Sequence, residues 1–266
     1  AGSDKRQGQK GESCFNKTSD QAGDSGINHL TDINSLNMKQ FSLNMKAIFF
    51  VFAFFLTTLQ SCNAQTAVLV VGEIPMHEGD VLFKERLEKR GFSVSAVEDS
   101  SFDLPKARQT DIILISASVL TDEVDSAVLW IEKPVLCMES YMYQTMGMTE
   151  FGYRLEYGSA RNQKRIEIID PDHPIALGQE QYVDVTADYA KFLWGTPNEN
   201  ASVIASVVGD RKNALIFTYD KGAIMPGGVA PDKRVGFFAT ENTVLLFTDK
   251  AWEYFDALID WMADQR

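Results

Sequence analysis

The chain has 266 residues, with 25 Lys and Arg against 37 Asp and Glu for a formal net charge of −12, and it carries three cysteines. A surface of this sign repels phosphate backbones, and no cluster of basic residues interleaved with aromatics offsets it, so nucleic-acid binding is disfavoured. From residue 65 onward the imbalance sharpens to 19 basic against 32 acidic side chains, and Cys137 is the sole cysteine left, which excludes an intrachain disulfide framework.

Residues 1–44 are rich in Ser, Asn, Asp, Gln and Gly and lack apolar periodicity, the composition of a disordered or untranslated leader. Met45 and Lys46 then open a basic start, residues 47–59 (AIFFVFAFFLTTL) form an apolar run, and Ser61-Cys62-Asn63-Ala64 supply small residues, so residues 45–64 are expected to be a signal peptide. Thirteen residues are too few to cross a hydrocarbon core of about 30 Å as a helix. Two processing outcomes compete. Leu59-Gln60-Ser61-Cys62 resembles a lipoprotein box that would place a lipid on Cys62, whereas Cys62-Asn63-Ala64 before Gln65 reads as an ordinary cleavage site. Either way the remainder, residues 65–266, is expected outside the cytoplasm, as a periplasmic, secreted or lipid-anchored single domain whose only membrane contact is the lipid.

Residues 66–71 (TAVLVV) form a continuous aliphatic run that suits a strand covered on both faces. Residues 80–89 place Val81, Leu82 and Leu87 among charges as an amphipathic helix would, Gly91 ends it, and residues 92–97 read as the next strand. The alternation continues with a strand at 111–116, a weaker helix at 122–130 and a strand at 134–138 (PVLCM). Later strands are expected at 165–169, 203–207, 214–219 and 235–239. A closing helix repeats Trp252, Phe255, Leu258, Ile259 and Met262 at three- and four-residue spacing, a stripe that belongs to the core. Short buried strands joined by helix-length connections give a doubly wound α/β fold with a mostly parallel sheet.

In such a sheet ligands sit beyond the carboxyl ends of the strands. That rule selects Glu73 and His77 after the first strand, Ser116 and Ser118 after the third, Glu139, Ser140 and Tyr141 after the fourth, and His173 after the 165–169 strand. Cys137 fits a catalytic role badly, because a nucleophile needs an exposed turn flanked by small residues and its neighbours are Leu136 and Met138; it reads as a buried small hydrophobe. His77 and His173 are each a candidate base or a loop cap. No H-x-H or H-x-x-x-H spacing supports a metal site, so no metal is expected. Residues 72–79 lack both G-K-[ST] and G-x-G-x-x-G, so no nucleotide cofactor is expected, nor any other.

From about residue 67 to 263 the order of segments (AVLVVGE, PVLCMESYMYQTMGMT, DPDHPIALG, FLWGTPNENASVIAS, and KRVGFF before a final helix) resembles the ThuA-like, trehalose-utilisation branch of the class I glutamine-amidotransferase-like fold, which is flavodoxin-like in architecture. The resemblance is to exported bacterial versions of this domain, and Glu139 and His173 match the family's recurrent motif positions. True amidotransferases of this fold carry a Cys in a small-residue elbow and a His followed two places later by Glu. Here Cys137 lies in a strand body and His173-Pro174 is followed by Ile175, so glutamine hydrolysis is not expected.

The resemblance implies a sugar-related association, so the first reading is an exported domain that binds a small polar ligand, a carbohydrate or glycoside, in a site lined by Glu73, His77, Ser116, Glu139, Tyr141 and His173, with Trp194 stacking on a sugar face. The second is an enzyme acting on sugar derivatives with His173 or Glu139 as general base and the other orienting it. The third is a non-catalytic structural module that supports a partner protein.

Overall fold

The computed structural model describes residues 64–264; the leader, nearly all of the signal segment and the lipidation candidate Cys62 lie outside them. The chain runs β1 (Thr66–Val71), α1 (Glu78–Lys89), β2 (Ser93–Glu98), α2 (Leu104–Ala107), β3 (Ile112–Ile115), β4 (Val135–Cys137) and α3 (Ser140–Thr145). It continues through β5 (Tyr157–Gln163), β6 (Arg165–Ile168), β7 (Tyr182–Asp184), β8 (Ala190–Gly195), β9 (Ser202–Val207) and β10 (Asp210–Tyr219). A small ribbon of β11 (Ile224–Met225) and β12 (Gly228–Val229), then β13 (Arg234–Phe237) and α4 (Asp249–Met262), complete it. Among these residues no helix is long and apolar enough to cross a membrane.

The main sheet has 11 strands in the order β2-β1-β3-β4-β13-β10-β9-β6-β7, with β8 joined to β10 and β5 to β8. Its first five strands are parallel, in the 2-1-3-4-5 order of flavodoxin-like sheets, the last place being taken by a strand from far along the chain. Beyond β13 every pairing is antiparallel, so the doubly wound half carries an antiparallel extension. The expected weak helix at 122–130 is a 3₁₀ turn at Ser126–Trp130, capped by Asp125, whose side chain accepts from the Ala127 N–H.

Alternation within the apolar strands explains why they read as continuous hydrophobic runs. Ala67, Leu69 and Val71 of β1, Ile112 and Leu114 of β3, and Leu136 of β4 enter one core with Phe83 and Leu87 of α1 and Phe255, Leu258 and Ile259 of α4. Val68, Val70, Ile113, Ile115, Val135 and Cys137 point the other way, into a second core with Met142 and Tyr143 of α3. Both faces are therefore buried, as period-two side chains between two layers require. Helix α1 has acids in its first turn and Arg86 and Lys89 in its last, which complements its dipole, and Gly91 follows at φ 91°, in the left-handed region that ends helices. It is tied to α4 by a forked pair from Arg86 to Asp256 (2.9 and 2.6 Å) and by Arg90 at 3.1 Å from the same carboxylate.

Arg234 opens β13 fully buried, and its guanidinium donates to the carbonyls of Leu129, Ile131, Lys133, Asp232 and Lys233. Burial lowers its pKa to about 10, yet it remains protonated at neutral pH. These bonds fasten the segment before β4 to the start of β13. Arg234→Met would leave the carbonyls without their donor, and at about 1–3 kcal/mol for each strongly buried unsatisfied group the expected loss is at least about 3 kcal/mol. Urea unfolding of the variant checks this.

Candidate functional site

The register of the parallel strands brings several chain segments out at one edge. Ile115 pairs with Cys137 and Cys137 with Gly236, so the residues after β3, β4 and β13 emerge side by side. The loop after β1 joins them at the switch point between β1 and β3.

At the switch point Asp80, in the first turn of α1, is buried against the hydroxyls of Ser116 and Ser118, with the Ser118 Oγ donating at 2.8 Å. The Gly72 N–H donates in turn to the Ser118 Oγ at 3.1 Å. Burial raises the Asp80 pKa, and the two serine hydroxyls act against that rise. Glycine is required at position 79, where a Cβ would stand 1.8 Å from the Glu241 carbonyl oxygen; the start of α1 thus presses on the backbone that follows β13.

Glu139 stands between β4 and α3. It is the N-cap of α3, and its carboxylate accepts the Tyr141 N–H at 2.9 Å. Burial pushes its pKa up to about 7; the Tyr141 N–H and the Lys191 ammonium pull it down, and the Glu241 charge adds to the rise. Lys191 is held close because the Leu193 N–H donates to the Phe238 carbonyl (2.9 Å) and the Thr243 hydroxyl to the Lys191 carbonyl (2.7 Å). A carboxyl near 7 can take or release a proton at neutral pH.

Glu139 and Tyr141 line an open cleft of about 500 Å³ whose other wall is Val119 to Glu123, the loop after β3. That loop is held by the buried carboxylate of Asp99, which accepts the Leu120 N–H at 2.7 Å. The Tyr141 ring is 42 % exposed and stacks on Tyr153 at 5.0 Å, with Tyr157 edge-on at 5.4 Å. Arg154 lies over the Tyr153 ring.

The structure places Glu73, His77, Glu139 and Tyr141 on this edge, with His77 Nε2 3.6 Å from a Glu73 oxygen and both side chains exposed. Three expectations are corrected. Ser116 is fully buried and engaged by Asp80, so it lines no ligand surface. Trp194 is 7 % exposed and packs against Gly158, where a Cβ would meet its ring at 2.9 Å; it offers no face to a sugar. His173 lies at the opposite edge: β6 runs antiparallel to β9, and the His173 imidazole feels Asp220, the residue after β10, near the start of β13. It caps a 3₁₀ turn by accepting the Ile175 N–H, and it does not meet Glu139.

Cys137 is fully buried in β4, its thiol directed to the Glu139 carbonyl at 3.3 Å, and burial pushes its pKa far up. The strand-to-helix junction is occupied by Glu139, whose φ of −97° and ψ of 118° are ordinary extended values. Among the described residues no group of three or more His, Cys, Asp or Glu side chains is arranged to hold a metal ion. Sequence reasoning missed Asp80, Glu241, Lys191 and Tyr153. The rule that selected Glu139 would have selected Glu241 had it been applied to the strand at 235–239.

No protein-family model and no curated protein sequence matches the chain. Among solved structures it is similar to a glutamine amidotransferase from Thermotoga maritima, at 9 % identity and a TM-score of 0.47 over 76 % of this chain and 100 % of that one. It is also similar to PurLQS from Thermotoga maritima, at 15 % identity and a TM-score of 0.45 over 74 % of this chain and 99 % of that one. The fold class stands on the strand order and direction given above.

Two outcomes follow from this geometry. Iodoacetamide should alkylate Cys137 in the native chain far more slowly than in urea, read by peptide mapping of that residue; equal rates would mean an exposed thiol. Because the Glu139 pKa rises from 4.5 to about 7 on folding, its contribution to stability is full below about pH 4.5 and is lost as pH rises through 7. Glu139→Gln, which keeps the acceptor for Tyr141, should therefore flatten the fall in stability between pH 4.5 and 8 by about 1–3 kcal/mol. Denaturant unfolding at the two pH values checks it.

Proposed function

We propose that this chain is an exported ThuA-like domain that binds a small polar ligand, a carbohydrate or glycoside, at the carboxyl ends of β3 and β4, without glutamine amidotransferase activity. The observation that carries the reading is the pairing, in one cleft, of an exposed tyrosine face with a half-buried carboxyl group: Tyr141 and Glu139. A sugar ring offers an apolar C–H face to an aromatic ring and hydroxyls to a carboxylate, and binding sites commonly join an apolar wall to a few fixed polar groups. The absence of amidotransferase activity is inferred from Cys137, which is turned into the second core. Export is inferred from the apolar run at 47–59 and the small residues after it, with Cys62 as the lipid site if an anchor is added.

One observation favours a second reading, catalysis on a sugar derivative. A carboxyl with a pKa of about 7, raised by burial and by the charge of Glu241, can take or release a proton at neutral pH. In that reading Glu139 is the general base and Glu241, not His173, is the second group.

Thermal unfolding of the full chain against a panel of mono- and disaccharides tests the first reading. At least one should raise Tm by several degrees at millimolar concentration, through linkage of ligand to the folded state. Tyr141→Ala should weaken that ligand about tenfold while lowering the Tm of the free protein only slightly, by the loss of its contacts with Tyr153 and Tyr157. A panel with no stabilising sugar would overturn it, and turnover lost in Glu139→Gln would move the assignment to the second reading.

A further inference from the structure

The cleft is not neutral. Its lining carries three carboxylates, Asp122, Glu123 and Glu139, and no basic side chain, beside the aromatic ring of Tyr141 and the apolar Val119 and Leu120. Glu241 repels the Glu139 charge from the end of β13. Two cations lie nearby. Lys191 acts on Glu139 from β8, and Arg154 is drawn over the Tyr153 ring, where it also supports that tyrosine. Neither lines the cleft, and the carboxylates outnumber Lys191.

We infer that the ligand of this cleft carries a protonated amine: the class recognised is a free amino sugar, and neutral or N-acylated sugars bind less well. The inference rests on the carbohydrate reading above and narrows it. A positive group seated by Glu139 makes a charge-assisted hydrogen bond to a carboxylate that is otherwise costly to ionise where it stands, because burial and Glu241 disfavour its charge. Tyr141, whose aromatic ring attracts cations, lines the same cleft, while Asp122 and Glu123 at the rim add a long-range pull on a cation approaching from solvent. An anionic sugar would meet the like charges of Asp122 and Glu123 and would disfavour the ionised form of Glu139. N-acylation would remove the ammonium and leave the carboxylates without a partner, which is how such a site discriminates.

Calorimetric titration of the full chain at pH 7 with glucosamine, glucose and N-acetylglucosamine decides the matter. Glucosamine should bind at least tenfold more tightly than the other two, and Glu139→Gln should bring the ratio of glucosamine to glucose affinity down toward one. The double change Asp122→Asn with Glu123→Gln, on the exposed rim and away from the core, should weaken glucosamine severalfold and steepen no other ligand. Equal affinity for the three sugars, or tighter binding of a neutral one, would overturn the amine assignment and leave the carbohydrate site standing. Preference for glucosamine that survives both variants would overturn the placement in this cleft. Binding of none of the three would overturn this inference, and an inactive wider sugar panel would remove the carbohydrate reading as well.

Discussion

Burial of the parallel strands on both faces is the constraint on which the rest depends. Strands β1, β3 and β4 alternate their side chains between two cores, and neither face has water to satisfy a misplaced polar group. Polar chemistry is thereby expelled to the ends of the strands. The shared register of Ile115, Cys137 and Gly236 then ensures that what leaves one end leaves it together. The cleft between the loop after β3 and the Glu139–Tyr141 turn is a direct product of that alignment.

Collecting acids at one edge has an electrostatic cost, and the structure meets it in three different ways. Asp80 is buried but hydrogen bonded to two serine hydroxyls. Glu139 is left half-buried with one backbone amide and the Lys191 ammonium acting against its burial, which prevails, so its proton affinity rises instead. Asp122 and Glu123 remain exposed to water. Glu241 couples the first two, since its charge raises the pKa of both Asp80 and Glu139.

Much of the doubly wound half was legible because strand burial writes itself as uninterrupted aliphatic runs. The predicted 66–71 run is β1 to the residue, and the expected strands at 111–116 and 134–138 enclose β3 and β4. The antiparallel extension was less legible. Strand β5 (YGSARNQ) buries only Tyr157 and Gly158 at its start and runs on through polar, exposed or half-buried positions with no apolar signature, and β7 is three residues long. Site residues divided along the same line. Glu139 could be found from its place after a strand, whereas Trp194 looked like a ligand platform until its neighbour Gly158 proved to be the surface it fills. His173 was misplaced for a topological reason: the rule about carboxyl ends holds for parallel strands, and β6 runs the other way.

That distinction also resolves the stretch PVLCMES. A thiol three residues before the helix would have to leave the strand to reach a substrate, yet its side chain is one of the period-two set committed to the second core. Moving two positions along the pleat keeps the side chain on the same face but passes the end of the sheet, which is where Glu139 stands. The residue type at that junction is a carboxyl group with a pKa near neutrality, not a nucleophile on a strained turn. The chemistry available at the strand end is therefore hydrogen bonding, charge pairing and proton transfer, and any covalent role would have to be supplied by a residue other than Cys137.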